Sequence, residues 1–405
     1  MEDISFRKAL GITLSSIRPL SAEDIPLEKL TGRVTADDVF SIVDVPSLDI
    51  SLKDGYAVKS YDIEQASLAS PVYLKHAGSL MAGSSGQIAV THGHAVKIMS
   101  GARIPDGADA VLAGEFASYD GVVIKALNNA APGKNILPKG TDIKKGELII
   151  ERGMKLRPHQ VGLVAAAGYS SLRVYKKPSV AIIATGNEVL AVGMPFQHGK
   201  IFASNLVTIS AWCSFYGIAA NTLIVKDEEE AIREAILHYV DKSDCLITSG
   251  GAWTGERDLT IRVMDGLRWN KLYHRVRIGP GKAIAFGHLG SKPVFCLPGG
   301  PPSNQIAFLQ LTLPALSFLE GNRDLSLPTC NAVLAETLRG QKDWSQFVFG
   351  RLSSSNNCSF FYPLKTASRL QTMAKADGLV CIPEGKEYLM EGEHVNVQLL
   401  VSVQG

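Results

Sequence analysis

The sequence has no C-x-x-C pair, no G-x-x-x-x-G-K-S/T or G-x-G-x-x-G loop, no excess of one charge and no long apolar run. Each absence removes a class of function. The six cysteines stand apart at 213, 245, 296, 330, 358 and 381, so neither a zinc site nor a disulfide framework is indicated. Cys245, Cys296 and Cys381 sit within apolar runs, where a small buried hydrophobe is expected, and a reducing, cytoplasmic location follows. Lys and Arg number 41 against 39 Asp and Glu, a formal net charge of +2, which gives no case for nucleic acid or an acidic membrane surface. Runs such as "VAIIA" are too short to span a bilayer. The opening "MEDISFRKALGITLSSI" reads as an amphipathic helix with internal charges, not a signal peptide. The missing phosphate loops disfavour ordinary dinucleotide or P-loop binding.

What is present is ordinary globular composition over 405 residues, enough for two to four domains. Residues 1–45 read as helical, with Ser21 and Asp24 resembling a capping box before a second periodic stretch. From 46 to 133 glycine is frequent, apolar runs are short and turns recur, as in a β-rich segment. "RPHQVGLVAAAGYSS" predicts a helix from Pro158 broken near Gly168. Between 176 and 323, strands such as "PSVAIIATG" and "DCLITSGG" alternate with helical patterns such as "DEEEAIREAILHYV", which predicts a doubly wound parallel sheet with helices on both faces. Residues 324–405 read as short strands with turns at "SSSNN", "KADG" and "PEGKE", hence a small β-barrel. The expected division is therefore a mixed linker domain (1–45 with 134–175), an inserted β-rich domain (46–133), an α/β domain (176–323) and a C-terminal β-barrel domain (324–405).

The stretch "VFCLPGGPPSNQIAF" carries the first chemical hint, because three prolines and two glycines separate a strand from a helix. Two further strand ends run into glycine: Thr185-Gly186 and Ser249-Gly250-Gly251. In open α/β sheets, ligands bind outside the carboxyl ends of the strands. Glycines there admit a ligand to the backbone, and a following helix N-terminus offers N–H groups to an anion. Glu188, Asp227 and Asp258 each follow a predicted strand. Carboxylates beside phosphates suit Mg²⁺, which binds through one or two of them plus phosphate oxygens. Asp227 and Asp258 also fit as helix caps, and Glu188 as a solvated turn residue.

The turns "ATGNEV", "SGGAWTGERD" and "LPGGPPSNQIAF", in that order, resemble the molybdopterin-binding domain shared by MoeA, MogA and gephyrin. "DVPSLDISLKDGYAV", "AVKIMSGARIPDGADAV", "GTDIKKGELI" and "SRLQTMAKADGLVCIPEG" are similar to further MoeA segments. The resemblance runs through nearly the whole chain and implies a MogA-like α/β domain within a multidomain α/β plus β protein. It implies a molybdenum insertase, which takes adenylylated molybdopterin and molybdate, uses Mg²⁺, releases AMP and works as a homodimer. Contact with an upstream adenylyltransferase and with acceptor molybdoenzymes is also implied.

Carried over residue by residue, the resemblance makes Asp54, Ser100, Asp142, Glu188, Asp227 and Asp258 catalytic, with Asp227 and Asp258 as metal-linked carboxylates. Asp54, Ser100 and Asp142 would come from the N-terminal half, by way of another domain or a dimer partner. Gly186, Ser249, Gly250, Gly251, Pro298, Gly299, Gly300 and Pro301 would bound the pterin and its phosphate. Lys282, Ser303, Arg351 and Ser368 would hold the oxyanion. The sequence departs from the family in four places. Ser100 replaces the usual Thr, Gly279 replaces a Lys, Gly300 replaces an Asn, and a basic run before Asp142 is reduced to Lys139. Arg275 or Arg277 could stand in for the missing cation. Three rival readings are a molybdopterin adenylyltransferase, a tungstate-preferring insertase and a non-catalytic scaffold. The long N-terminal half and the β domain weigh against the first, and the retained carboxylates against the last.

Overall fold

A computed structural model describes residues 3–84, 87–252, 259–355 and 358–400. The chain forms two compact units, Asp24–Arg173 and Met1–Glu23 with Val174–Gly405. The expected four-part division is finer than this and remains a proposal.

In the unit 24–173, six strands form one sheet in the order Ala110–Ala113, Gly55–Val58, His94–Ile98, Val72–Leu80, Val123–Ala126 and Ala117–Tyr119. The short strand Ile50–Ser51 pairs with Ile136–Leu137, and Val39–Phe40 pairs with Leu148–Ile150. The helix Pro158–Ala166 forms as expected and ends before Gly168, which has φ +99°. The second helical stretch expected after Ser21 does not form. Ala22–Pro26 is a strand, followed by the 3₁₀ turn Leu27–Lys29. Pro26 explains the difference, since it donates no N–H and keeps the residue before it extended. Among the described residues of that region Phe6–Ser16 is the only α-helix, with Ser5 capping it through the Lys8 N–H.

The second unit contains a six-stranded sheet in the order Ala219–Val225, Ser179–Thr185, Cys245–Ser249, Lys292–Leu297, Ala285–Leu289 and Asn270–His274. The first four strands are parallel. Alternate residues along them enter two separate cores. Val180, Ile182, Ile247 and Phe295 pack on one face, against residues of the helices Ser204–Phe215 and Pro301–Ala307. Ala181, Ile183, Leu246 and Val294 pack on the other, against Glu229–Val240 and Leu259–Gly266. This is the expected doubly wound arrangement, with one difference at its edge. Lys292–Leu297 pairs antiparallel with Ala285–Leu289, and that strand antiparallel with Asn270–His274. Only Gly290 and Ser291 separate the first pair, and Gly290 has φ +62°. So tight a turn makes a hairpin, because a parallel connection needs a dozen or more residues.

The C-terminal strands close a five-strand barrel in the order Ser345–Ser355, Cys358–Pro363, Thr329–Leu334, His394–Leu399 and Gly378–Ile382, which returns to Ser345–Ser355. The strand Val276–Gly279 adds to it in parallel, and Ile4–Ser5 adds to Val276–Gly279. A short helix, Arg369–Lys375, interrupts what the sequence presented as strands alone.

Cys213, Cys245 and Cys296 are buried, while Cys381 is only partly so. Burial pushes the Cys213 and Cys296 thiols up to about 12, which keeps them protonated and inert at neutral pH. No helix among the described residues is long and apolar enough to cross a membrane.

Candidate active site

Register places the predicted turns on one rim. Thr185 is level with Val225, Ala184 with Ser249, and Ser249 with Leu297. The segments leaving these strands, from Gly186, Lys226, Gly250 and Pro298, therefore emerge side by side at the carboxyl edge of the parallel sheet. Three asparagines tie them together. Asn304, 1% exposed, donates from Nδ2 to Ser249 Oγ (3.0 Å) and to the Pro298 carbonyl (2.9 Å). Asn205 donates to the Gly299 carbonyl at 2.7 Å. Asn187 Oδ1 accepts the Asp227 N–H at 3.1 Å. Thr260 adds a bond from its hydroxyl to the Gly250 carbonyl at 3.3 Å.

None of these four was singled out from the sequence. Asn205, Thr260 and Asn304 near the start of a helix read as local caps and Asn187 as a turn residue, and only tertiary placement shows them bridging turns far apart in the chain.

Two cavities open on the rim. The larger, about 570 Å³, is walled by Gly251, Pro298, Gly299, Gly300, Ser303 and the segment 278–283 with Lys282, and by Trp344 and Gln346 from the barrel. The smaller, about 110 Å³, is lined by Glu188, Asn205, Ser249, Gly250, Gly299 and Pro301. Gly299 borders both. Gly186 adjoins the Glu188 carboxylate. The helix Glu229–Val240 has Glu228 as its N-cap, with no side-chain capping bond, so the half-buried Asp227 is not the cap. Asp258 lies outside the described residues.

The Pro298–Ser303 turn differs from the expected anion-binding helix start. Pro301 and Pro302 fill the first two helical positions and supply no N–H, while the Asn304 N–H is spent on the Gly300 carbonyl. The polar groups left to face the cavity are Ser303 and the main chain at Gly299 and Gly300. The glycines themselves fall into two kinds. Gly250 has φ +107°, and a Cβ there would lie 2.8 Å from the Thr185 carbonyl, so the fold itself requires glycine. Gly299 lies outside the positive-φ region, and its nearest neighbour to a Cβ is Gly250 Cα at 3.8 Å. We therefore expect Gly299→Ala to melt within a degree or two of wild type while weakening any ligand that fills the cavities. Gly250→Ala should lose about 2 kcal/mol or more. Paired thermal melts and ligand titrations check both; unchanged ligand affinity in Gly299→Ala would leave this stretch a mere connector.

Residues 4–168 match the MoeA N-terminal region (domains I and II), 181–317 a molybdopterin binding domain, and 331–400 the MoeA C-terminal region (domain IV). A Haemophilus influenzae protein named molybdopterin molybdenumtransferase is 33% identical over 313 residues, 76% of each chain. The chain belongs to the MoeA family. A Mycobacterium tuberculosis member, molybdopterin molybdenumtransferase 2, is 30% identical over 96% of this chain and 97% of its own. The crystal structure of a MoeA protein from Pyrococcus horikosii superimposes with a TM-score of 0.83 at 33% identity, covering 98% of this chain and 99% of its own.

Arg351 is 64% exposed, with Nε 3.9 Å from Asp377. Ser368 caps the helix Arg369–Lys375, accepting the Gln371 N–H at 3.3 Å. Neither is among the residues lining the larger cavity. In the other unit, Asp54 and Ser100 are joined directly, the Ser100 N–H donating to Asp54 Oδ1 at 2.7 Å. The exposed Asp142 lies between Lys139 and Lys145, both held by the distant Asp44 carboxylate, which accepts the Lys145 N–H (2.8 Å) and pairs with Lys139 Nζ (3.2 Å). The Lys145 backbone bond, followed by Lys139, holds the Asp44 carboxyl below its ordinary range. Lys139 is thus engaged by an acid next to the departure from the family's basic run. Ser51 connects the two groups: it bonds Gly101 and Ala102 while its strand pairs with Ile136–Leu137.

Proposed function

We propose that this chain inserts molybdenum into adenylylated molybdopterin and releases AMP, completing molybdenum cofactor synthesis. The observation that carries the reading is the rim itself, with three glycine-bearing turns and the segments bearing Glu188 and Asp227 leaving one sheet edge, in a chain that matches a molybdopterin molybdenumtransferase over 96% of its length.

Mg²⁺ fits the donor chemistry at this edge. No cluster of three potential ligands occurs among the described residues. Mg²⁺ does not need one, since it binds through one or two carboxylates and fills its shell with water and substrate phosphate. Asp227 and Asp258 would hold it, with Glu188 beside them. When bound, the ion would neutralise charge on the phosphates as AMP leaves. The chain's own groups bind and orient. The Gly250 and Gly299 turns bring main chain close to the pterin phosphate, while Lys282 and Ser303 hold molybdate in the larger cavity. Arg351 and Ser368, which do not line that cavity, would serve the oxyanion from the C-terminal domain outside it. Asp54, Ser100 and Asp142 serve the same reaction from the N-terminal unit. The protein acts as a cytoplasmic homodimer that receives substrate from an adenylyltransferase and passes product to molybdoenzymes.

The test is incubation with adenylylated molybdopterin, Mg²⁺ and molybdate. AMP should appear together with protein-bound or transferable molybdenum, and no AMP above the buffer control would sink the reading. Substituting tungstate in the same assay decides which oxyanion is preferred.

A further inference from the structure

Lys282, on the wall of the larger cavity, is already in contact with a carboxylate. Its Nζ lies 3.1 Å from Asp3 Oδ2. The other oxygen, Oδ1, lies 3.0 Å from Arg275 Nε, and Arg275 Nη2 approaches Oδ2 at 3.4 Å. One planar oxyanion is thus shared by a guanidinium and an ammonium, as a bound tetrahedral oxyanion would be.

Backbone structure fixes all three groups. The Arg275 N–H donates to the Ile284 carbonyl and the Val276 N–H to the Lys282 carbonyl, so the two cations stand across from each other in the segment that connects Asn270–His274 to Ala285–Leu289. Arg275 has φ +72°, an uncommon conformation for a residue with a side chain. The parallel ladder of Ile4 on Val276, with the Ile4 N–H on the Arg275 carbonyl, sets Asp3 beside them. Arg277 has a different task. It donates to the Asp3 carbonyl at 3.2 Å and pairs with Glu384 at 2.5 Å. Arg275 is therefore the cation that accompanies Lys282 where Gly279 stands in place of the family's lysine. Side-chain exposures of 23% for Asp3, 31% for Arg275 and 29% for Lys282 leave the cluster only partly screened by solvent.

We propose that Asp3 sets the charge of the oxyanion pocket: its carboxylate is an internal occupant of a two-cation cradle made by Arg275 and Lys282, and an incoming oxyanion must displace it. The proposal rests on reading the Lys282 cavity as an oxyanion pocket. With Asp3 in place the three groups carry a net charge of +1; without its charge they carry +2, which favours dianions over monoanions.

The experiment is equilibrium dialysis of molybdate, sulfate and perchlorate against the full chain, wild type and variants. Asp3→Asn should tighten molybdate and sulfate about fivefold, a partly exposed ion pair's worth, and perchlorate less. The gain should steepen the salt dependence and vanish in the double variant with Lys282→Ala. Asp3→Ser retains the backbone ladder and should show the same gain if Asp3→Asn lowers the melting temperature. If wild type and both variants bind molybdate equally while Lys282→Ala abolishes binding, the pocket reading stands and the role of Asp3 is overturned. If no variant binds any of the three anions, the pocket reading falls and takes this proposal with it.

Discussion

Asp227→Asn should reduce AMP release on the order of 100-fold, and raise the Mg²⁺ concentration needed for half-maximal rate, while leaving the protein folded. The substitution exchanges one carboxylate oxygen for an amide at constant shape. Were Asp227 the N-cap of Glu229–Val240, Asn would serve nearly as well and activity would hardly change. The structure assigns that position to Glu228, without a side-chain bond. The Asp227 N–H to Asn187 survives the change, because it belongs to the main chain. Stability should therefore stay within about 1 kcal/mol of wild type. A variant that melts early yet keeps its specific activity would show a structural carboxylate, not a metal-linked one.

Asn304→Ala should cost about 3 kcal/mol of stability and lower substrate affinity in the protein that remains folded. Its amide donates two bonds in a fully buried position, and truncation leaves Ser249 Oγ and the Pro298 carbonyl short of a partner. Each unsatisfied buried acceptor costs about 1–3 kcal/mol. The same amide fixes the separation of two turns that border both cavities, so the loss of order reaches the ligand. Asn304→Asp is the informative companion, because it keeps the volume and sets a carboxylate against the Pro298 carbonyl, which can only accept, while the Ser249 hydroxyl can turn to donate. Chemical denaturation and ligand titration measure the two effects; a stability change well below 1 kcal/mol in both variants would show that Asn304 does not hold the turns.

Much of this was legible in the chain. Strand-to-glycine junctions at 185–186, 249–251 and 297–300 each proved to be a strand end at one sheet edge, because alternation of strands and helices forces parallel strands to finish on the same side. The helix from Pro158 and its stop at Gly168 were likewise local matters, set by the conformations those residues permit. The stretch after Ser21 misled because its periodicity suited a helix while Pro26 forbade one.

By itself the sequence determined the fold class, the family, the rim and the residue types that line it, since these depend on period, turn chemistry and motif order along one chain. Only the tertiary structure decided that the Pro298–Ser303 turn offers few helix N–H groups, that Gly250 is needed by the backbone whereas Gly299 is not, and that Asn304 ties together turns from two strands. It alone brought Asp3 to Lys282, 279 residues away in the chain, because a β-ladder aligns segments by hydrogen bonding and leaves no periodicity in the sequence to announce it.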